Sequence, residues 1–280
     1  MDAAAALRLQ VEWGADEALD EAPQDRLGAV PGATLGATSG AALGAAEARP
    51  ALPGPRTAPP APGALPAAAA PAQAPAQART LAEAATTLDA LHAALAGFEG
   101  SPLRATATSL VFGDGACTAG VALVGEAPDA ESDRSGRAFA GPGGRMLDAM
   151  LRSIGLGRED VRLLTLVPWR PPGGRAPADA EVAACLPFVQ RHLALLRPRA
   201  LVLMGNLACR WVGGIEGGAR RARGRWHPVA LPGRGDPVPA LALPAPEQML
   251  AQAALKETAW AELRRLRKFL DESRVTEPCK

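Results

Sequence analysis

Carboxylates gather in one glycine-punctuated stretch of the chain. Glu126, Asp129, Glu131 and Asp133 lie close together, followed by Phe139 as an isolated aromatic and then by Gly141, Pro142, Gly143 and Gly144. Carboxylates so grouped can take a proton from an attacking water or hold a metal, and they can equally form a solvated loop. No histidine or cysteine joins them, which argues against a metal centre. The three histidines, His92, His192 and His227, fall elsewhere. His92 and His192 sit in helical patterns, where surface or packing roles are usual. A second set of candidates is basic: Arg220, Arg221, Arg223 and Arg225 in ARRARGRW, and the run ELRRLRKFL near the C-terminus. Such arginines can hold phosphates without reading sequence. A charge run alone also fits a solvated face.

The elements that must position these residues follow from periodicity. Val121 to Val124 is a short apolar run bounded by Gly125, the pattern of a strand buried on both faces. The carboxylate loop leaves its end, and a helix follows with Met146, Leu147, Met150, Leu151 and Ile154 at helical spacing. Strand, glycine-rich loop, helix is where open α/β folds bind ligands, beyond the carboxyl end of a strand. Val161 to Val167 and Ala200 to Met204 predict two further strands. Trp226 to Leu231 and Val238 to Leu243 are weaker strand patterns. Helices are predicted over Leu81 to Phe98, from an N-cap at Asp179 through Leu196, over Leu207 to Val212, and over Glu247 to Leu270. Alternating strands and helices imply a mostly parallel sheet. The segments 126–144, 165–175 and 243–248 would then meet at one sheet edge, where a pocket is expected.

The 280 residues divide unevenly by composition. Residues 1–27 offer a short helical segment around Leu7, Val11, Trp13 and Leu19, able to dock on the domain or a protein partner, or to fray. Residues 28–80 are Ala/Pro/Gly-rich and predict a semi-extended, disordered linker with too few large side chains to offset ordering entropy. Residues 81–280 are long enough for one folded core. A net charge of +1 gives no global nucleic-acid signature. The four cysteines, at 117, 185, 209 and 279, form no CxxC pair and predict a reducing compartment without disulfides. No apolar run spans a membrane and no secretory signal is evident, so a cytoplasmic protein is expected.

The motifs GEAPDAESDRSGRAFAGPGGRML, LTLVPWRPPGGRAP, ACLPFVQRHL and RARGRW, in that order, resemble the family 4 uracil-DNA glycosylases, the iron–sulfur, thermostable type. The resemblance runs from about Phe98 to the C-terminal helix. It implies a three-layer α/β/α sandwich around a four-stranded parallel sheet, and a protein that acts on DNA as a monomer. Members flip uracil out of DNA, stack it on a phenylalanine and hydrolyse its N-glycosidic bond. Carried over, it implies catalytic positions at Glu126, Asp133 and Thr165, and base contacts from Gly125, Phe139 and Thr165. It implies DNA contacts from Arg170, Arg220, Arg221, Arg223 and Arg225.

Several positions depart from the family pattern. Thr165 stands where an asparagine amide would read the uracil edge, and offers one donor where the amide gives donor and acceptor. Leu243 stands where a histidine would stabilise the departing base, and losing one such donor costs about 2.7–4 kcal/mol of barrier. Ser132 replaces a glutamate and Asp129 a glycine. The resemblance also implies four cysteine ligands for a [4Fe–4S] cluster. Phe98, Ser101 and Trp169 occupy three of those positions and only Cys185 matches, so no cofactor is expected. Two readings follow: a divergent uracil-DNA glycosylase, or a silent relative that binds damaged or single-stranded DNA, or a repair partner.

Overall fold

The computed structural model describes residues 73–275. The expected N-terminal helical segment, most of the linker and Cys279 lie outside the described residues. Five strands form one sheet: β1 (Val121–Gly125), β2 (Val161–Thr165), β3 (Ala200–Met204), β4 (His227–Val229) and β5 (Val238–Leu243). Their order is β2-β1-β3-β5-β4, with the first four parallel. The α/β class therefore holds, with one strand more than the four expected. The fifth, β4, runs antiparallel along β5 and places Pro228 opposite Pro239. Neither proline can donate a ladder bond, which suits a short strand at a sheet edge.

Alternation along each strand builds the layers. Ala122 and Val124 share one face with Leu201, Leu203, Ala240 and Ala242. Val121 and Leu123 share the other with Val161, Val202, Leu241 and Leu243. The first face is covered by α1 (Ala74–Ala84), α2 (Leu88–Ala96) and α5 (Asp179–Leu196), through Ala78, Leu91, Leu95, Phe188 and Leu193. Two short helices, α3 (Ala130–Ser135) and α4 (Pro142–Ser153), lie in and after the carboxylate loop. The second face is covered by α4 and the last helix, through Leu147, Leu151, Leu263 and Leu266. Each such leucine, fully removed from water, contributes about 1.5–3 kcal/mol.

Several boundaries differ from those the periodicity predicts: β2 ends at Thr165 where the apolar run continues to Val167, and β4 keeps only the middle of the expected Trp226 to Leu231. The helix expected over Leu81 to Phe98 is two helices, broken at Ala85–Thr87, where Thr87 Oγ1 accepts from Ala90 N at 3.1 Å and caps α2. The first of them, α1, starts at Ala74, inside the stretch assigned to linker. Pro75 sits in its first turn, and Ala74, Ala78 and Ala82 form a buried seam. Small side chains at a four-residue spacing let α1 lie close on its neighbours, so low bulk does not mean lack of packing. At α5 the N-cap is Ala178, not Asp179. Glu181 reaches back to accept from Ala178 N at 2.7 Å and is held by both terminal nitrogens of Arg175. Between β3 and β5 lie α6 (Asn206–Trp211) and α7 (Gly218–Ala222). The C-terminal helix is likewise two, α8 (Pro246–Ala251) and α9 (Ala254–Val275). No described helix is long and apolar enough to cross a membrane.

Candidate functional site

Because β1, β2, β3 and β5 are parallel, their carboxyl ends share one edge. The register places Gly125 beside Thr165 and Met204 beside Leu243. Gly125, Glu126, Thr165, Phe139 and Leu243, scattered in sequence, are thereby brought to one region.

Phe139 lies between α3 and α4 with φ of 54°, a left-handed backbone that a non-glycine residue adopts only at a cost of order 1–3 kcal/mol. Its ring packs on the backbone of Gly125, where a methyl group would stand 2.5 Å from Cζ. A methyl on Gly144 would collide with the Phe139 carbonyl, so glycine at both positions is a condition of this packing. Arg158 fixes the backbone from outside. It donates to the carbonyls of Ala138 and Phe139 and pairs with Asp114 and Asp148 at 2.8 and 2.9 Å. Burial would raise the pKa of the Asp114 carboxyl, but Arg158 and the neighbouring Arg137, 3.0 Å away, together hold it below its ordinary range. Nothing in the local sequence marks Arg158, since every partner is distant along the chain.

Glu126 is half-buried against Gly205, whose φ of 94° leaves no room for a side chain there. Its Oε1 accepts from Leu207 N at 2.9 Å and so satisfies a donor at the start of α6. No bond to Oε2 occurs among the described residues, and that oxygen is available to water. Thr165 is buried, and its hydroxyl donates to the Val167 carbonyl at 2.8 Å. Leu243 is fully buried in the same apolar layer as Phe139.

The other acids of the loop shape it. Asp133 Oδ1 accepts from the backbone N–H groups of Thr108 and Ser109, at 2.9 and 3.3 Å. Asp129 accepts from Ser132 N through Oδ1 and from Gly141 N through Oδ2, at 2.7 and 3.1 Å. The Ser132 hydroxyl accepts from Ala140 N at 3.0 Å. A further carboxylate, Glu247 at the start of α8, approaches Gly143. Although it retains contact with solvent, desolvation by the surrounding loops raises its pKa, and Asp129 and Glu126 add repulsion. Sequence reading missed Glu247, which carries no motif signal.

Of the basic residues, only Arg220 and Arg223 line a separate opening, while Arg170, Arg221 and Arg225 lie outside its lining. Arg220 and Arg221 end α7, Arg223 caps it and Arg225 follows, all without a carboxylate partner among the described residues. Arg170, half-buried after β2, has a buried Nε with no hydrogen-bond partner, and so does Arg223. Between these strand ends lies a cavity of about 290 Å3, lined by Asn206, Arg220, Arg223, Pro244, Gln248 and Gln252. Glu262, buried on α9, accepts from Gly224 N and from Arg265, both at 2.8 Å, and ties down the arginine-rich turn.

The positions implied for an iron–sulfur cluster have the wrong chemistry for one. Phe98, Ser101 and Trp169 are buried and supply no thiolate. Phe98 packs against Phe188 with ring centroids 5.2 Å apart. The Cys185 thiol is fully enclosed, and burial pushes its pKa up to about 12 against the smaller opposing effect of Ser101. A cluster needs deprotonated ligands, four in number, and these residues do not fit it.

A family model, the uracil DNA glycosylase superfamily, matches residues 112–264. Three type-4 uracil-DNA glycosylases are similar to this chain. That of Pyrobaculum aerophilum is 36% identical over 123 residues, 44% of this chain and 63% of its own length. That of Archaeoglobus fulgidus is 39% identical over 110 residues, 39% of this chain and 55% of its own. That of Thermotoga maritima is 37% identical over 107 residues, 38% of this chain and 56% of its own. The matched segment thus spans somewhat more than half the length of these relatives.

Proposed function

The chain belongs to the uracil DNA glycosylase superfamily, and from that premise we propose that it is a DNA-repair protein that flips uracil out of DNA and slowly hydrolyses its N-glycosidic bond. The observation that carries the reading is the Phe139 ring seated on Gly125 beside the open oxygen of Glu126. The aromatic face supports stacking of an extruded base, worth roughly 1–3 kcal/mol per base. Glu126 Oε2 orients a water toward C1′ of the sugar. The new bond forms from that water to C1′ as the C1′–N1 bond breaks; the water gives a proton to Glu126, and the base leaves as an anion with the bonding electrons and takes a proton from solvent. Arg170 and Arg220 to Arg225 hold the flanking phosphates.

Slowness follows from what surrounds the leaving group. Leu243 has no donor for the charge that develops on the base, a deficit of about 2.7–4 kcal/mol, or a factor of about 100 to 1,000. Thr165 spends its donor on Val167. Asp133, bonded to two backbone N–H groups, acts by shaping the loop. The protein works without an iron–sulfur cluster, as a single chain, in the cytoplasm. The buried Leu243 and the internally bonded Thr165 also favour a second reading, a DNA-binding relative with no turnover.

Release of uracil from a single-stranded oligonucleotide, measured with protein in excess, decides between them. Slow release that disappears in Glu126→Ala supports the enzyme. No release, with salt-dependent binding retained, leaves the binding module.

A further inference from the structure

We propose that the cavity between α6, α7 and α8 is a second nucleotide site, which takes the residue next to the flipped one and reads its base. The inference rests on the reading of this chain as a DNA-binding glycosylase relative. It adds that the protein discriminates among flanking bases.

The cavity is lined by two kinds of polar group. Arg220 and Arg223 are the charged ones, and neither has a carboxylate partner among the described residues. Other arginines of the domain are engaged: Arg175 by Glu181, Arg158 by Asp114 and Asp148, Arg265 by Glu262. Arg220 is exposed and Arg223 half-buried, so their guanidinium groups remain open to an external acceptor. A phosphate is the acceptor that suits a guanidinium fork.

The others are amides. Gln248 and Gln252 are four residues apart, the first on α8 and the second its C-cap, and both border the cavity. Neither amide makes a hydrogen bond within the described residues. Asn206 is pinned, since its Oδ1 accepts from Ala219 N at 3.0 Å and leaves its NH2 donors outward. Pro244 and Leu255 add apolar lining. Anion binders, amides and apolar side chains around one cavity match the parts of a nucleotide: a phosphate, a base edge and a base face. Glutamine offers a donor and an acceptor together, and an unpaired base edge presents the matching pair, so the two amides can hold one base and tell it from others by where its donor and acceptor lie. Pro244 directly follows Leu243, so the cavity is one residue along the chain from the flipped-base region. Its volume, about 290 Å3, is at the lower end of the range for small-ligand sites.

The test uses the full chain and single-stranded oligonucleotides bearing one 2′-fluoro-deoxyuridine, which resists cleavage, with each neighbouring base varied in turn. Binding is followed by fluorescence anisotropy over a salt series. The expected result is a preference of about tenfold for one base over the other three at one neighbouring position. Gln248→Leu with Gln252→Leu abolishes that preference and leaves the salt slope unchanged. Arg223→Gln weakens all sequences alike and lowers the slope by about one. A wild-type protein that binds every neighbour equally overturns the second site and leaves the DNA-binding reading intact. So does a preference that survives the double glutamine change. A protein that binds none of these oligonucleotides at low salt overturns both.

Discussion

Two arginine-bearing regions of the domain, one before β2 and one between β3 and β5, are wired in opposite ways. Arg158 is saturated, with two carboxylates and two carbonyls about its guanidinium. The run from Arg220 to Arg225 has no carboxylate partner among the described residues. The first arrangement spends its charge inside the protein to hold Phe139 in a left-handed backbone. The second leaves its charge unspent at the surface, where a polyanion can take it. Arginine identity says little about role; the partners already present say most of it.

The comparison breaks hardest at Arg158. Arg158→Ala leaves Asp148 without its cation, leaves Asp114 only the exposed Arg137, and releases the Phe139 carbonyl. A loss of about 2 kcal/mol in urea denaturation is expected, together with loss of uracil-DNA binding. Unchanged stability would show that the clasp is dispensable.

An interior arginine sharpens the contrast through pH. Arg162 donates to His192 Nε2 at 3.1 Å and lies near the Phe112 ring. Burial, and secondarily the positive charge of Arg162, depress the His192 pKa from 6.5 to about 3. The unfolded chain therefore takes up this proton below about pH 6.5, while the folded protein resists it until about pH 3. Stability is lost as pH falls through that window, by up to about 1.4 kcal/mol per unit from this group. Asp114 and Glu181, whose carboxyls are held below their ordinary values, add losses at the acid end. Chemical denaturation at pH 7 and pH 5 should show a smaller difference in His192→Gln than in the parent. An identical difference would remove His192 from the account.

The smallest stability effect belongs to the unpaired run. Arg221→Ala should leave unfolding free energy within about 0.5 kcal/mol of the parent. It should lower the salt dependence of DNA binding by about one in slope. A large stability loss would mean that Arg221 has an internal partner after all.

Strands were legible wherever burial on both faces forced a continuous apolar run, and β1, β3 and β5 begin and end where the periodicity predicts. The position of Phe139 was legible because an isolated aromatic among glycines has few structural reasons to be there. β4 and α1 were harder for opposite reasons. The edge strand is short and interrupted by Pro228, while α1 packs through methyl groups too small to register as a hydrophobic stripe. At the site, identities were readable and orientations were not. Nothing local says that Asp133 turns to Thr108, that Thr165 turns to Val167, or that Arg158 reaches Phe139. Those bonds join segments that only the finished fold brings together.

The alanine seam of α1 bears on how this protein can be cut. Ala74 lies against the space between Gly100 and the Phe98 ring. A fragment trimmed at Leu81, where the periodic pattern begins, would lack that methyl and the one at Ala78. It would open the aromatic packing of Phe98 on Phe188 to water. The practical boundary for a crystallisable or assayable domain is therefore set upstream of Ala74.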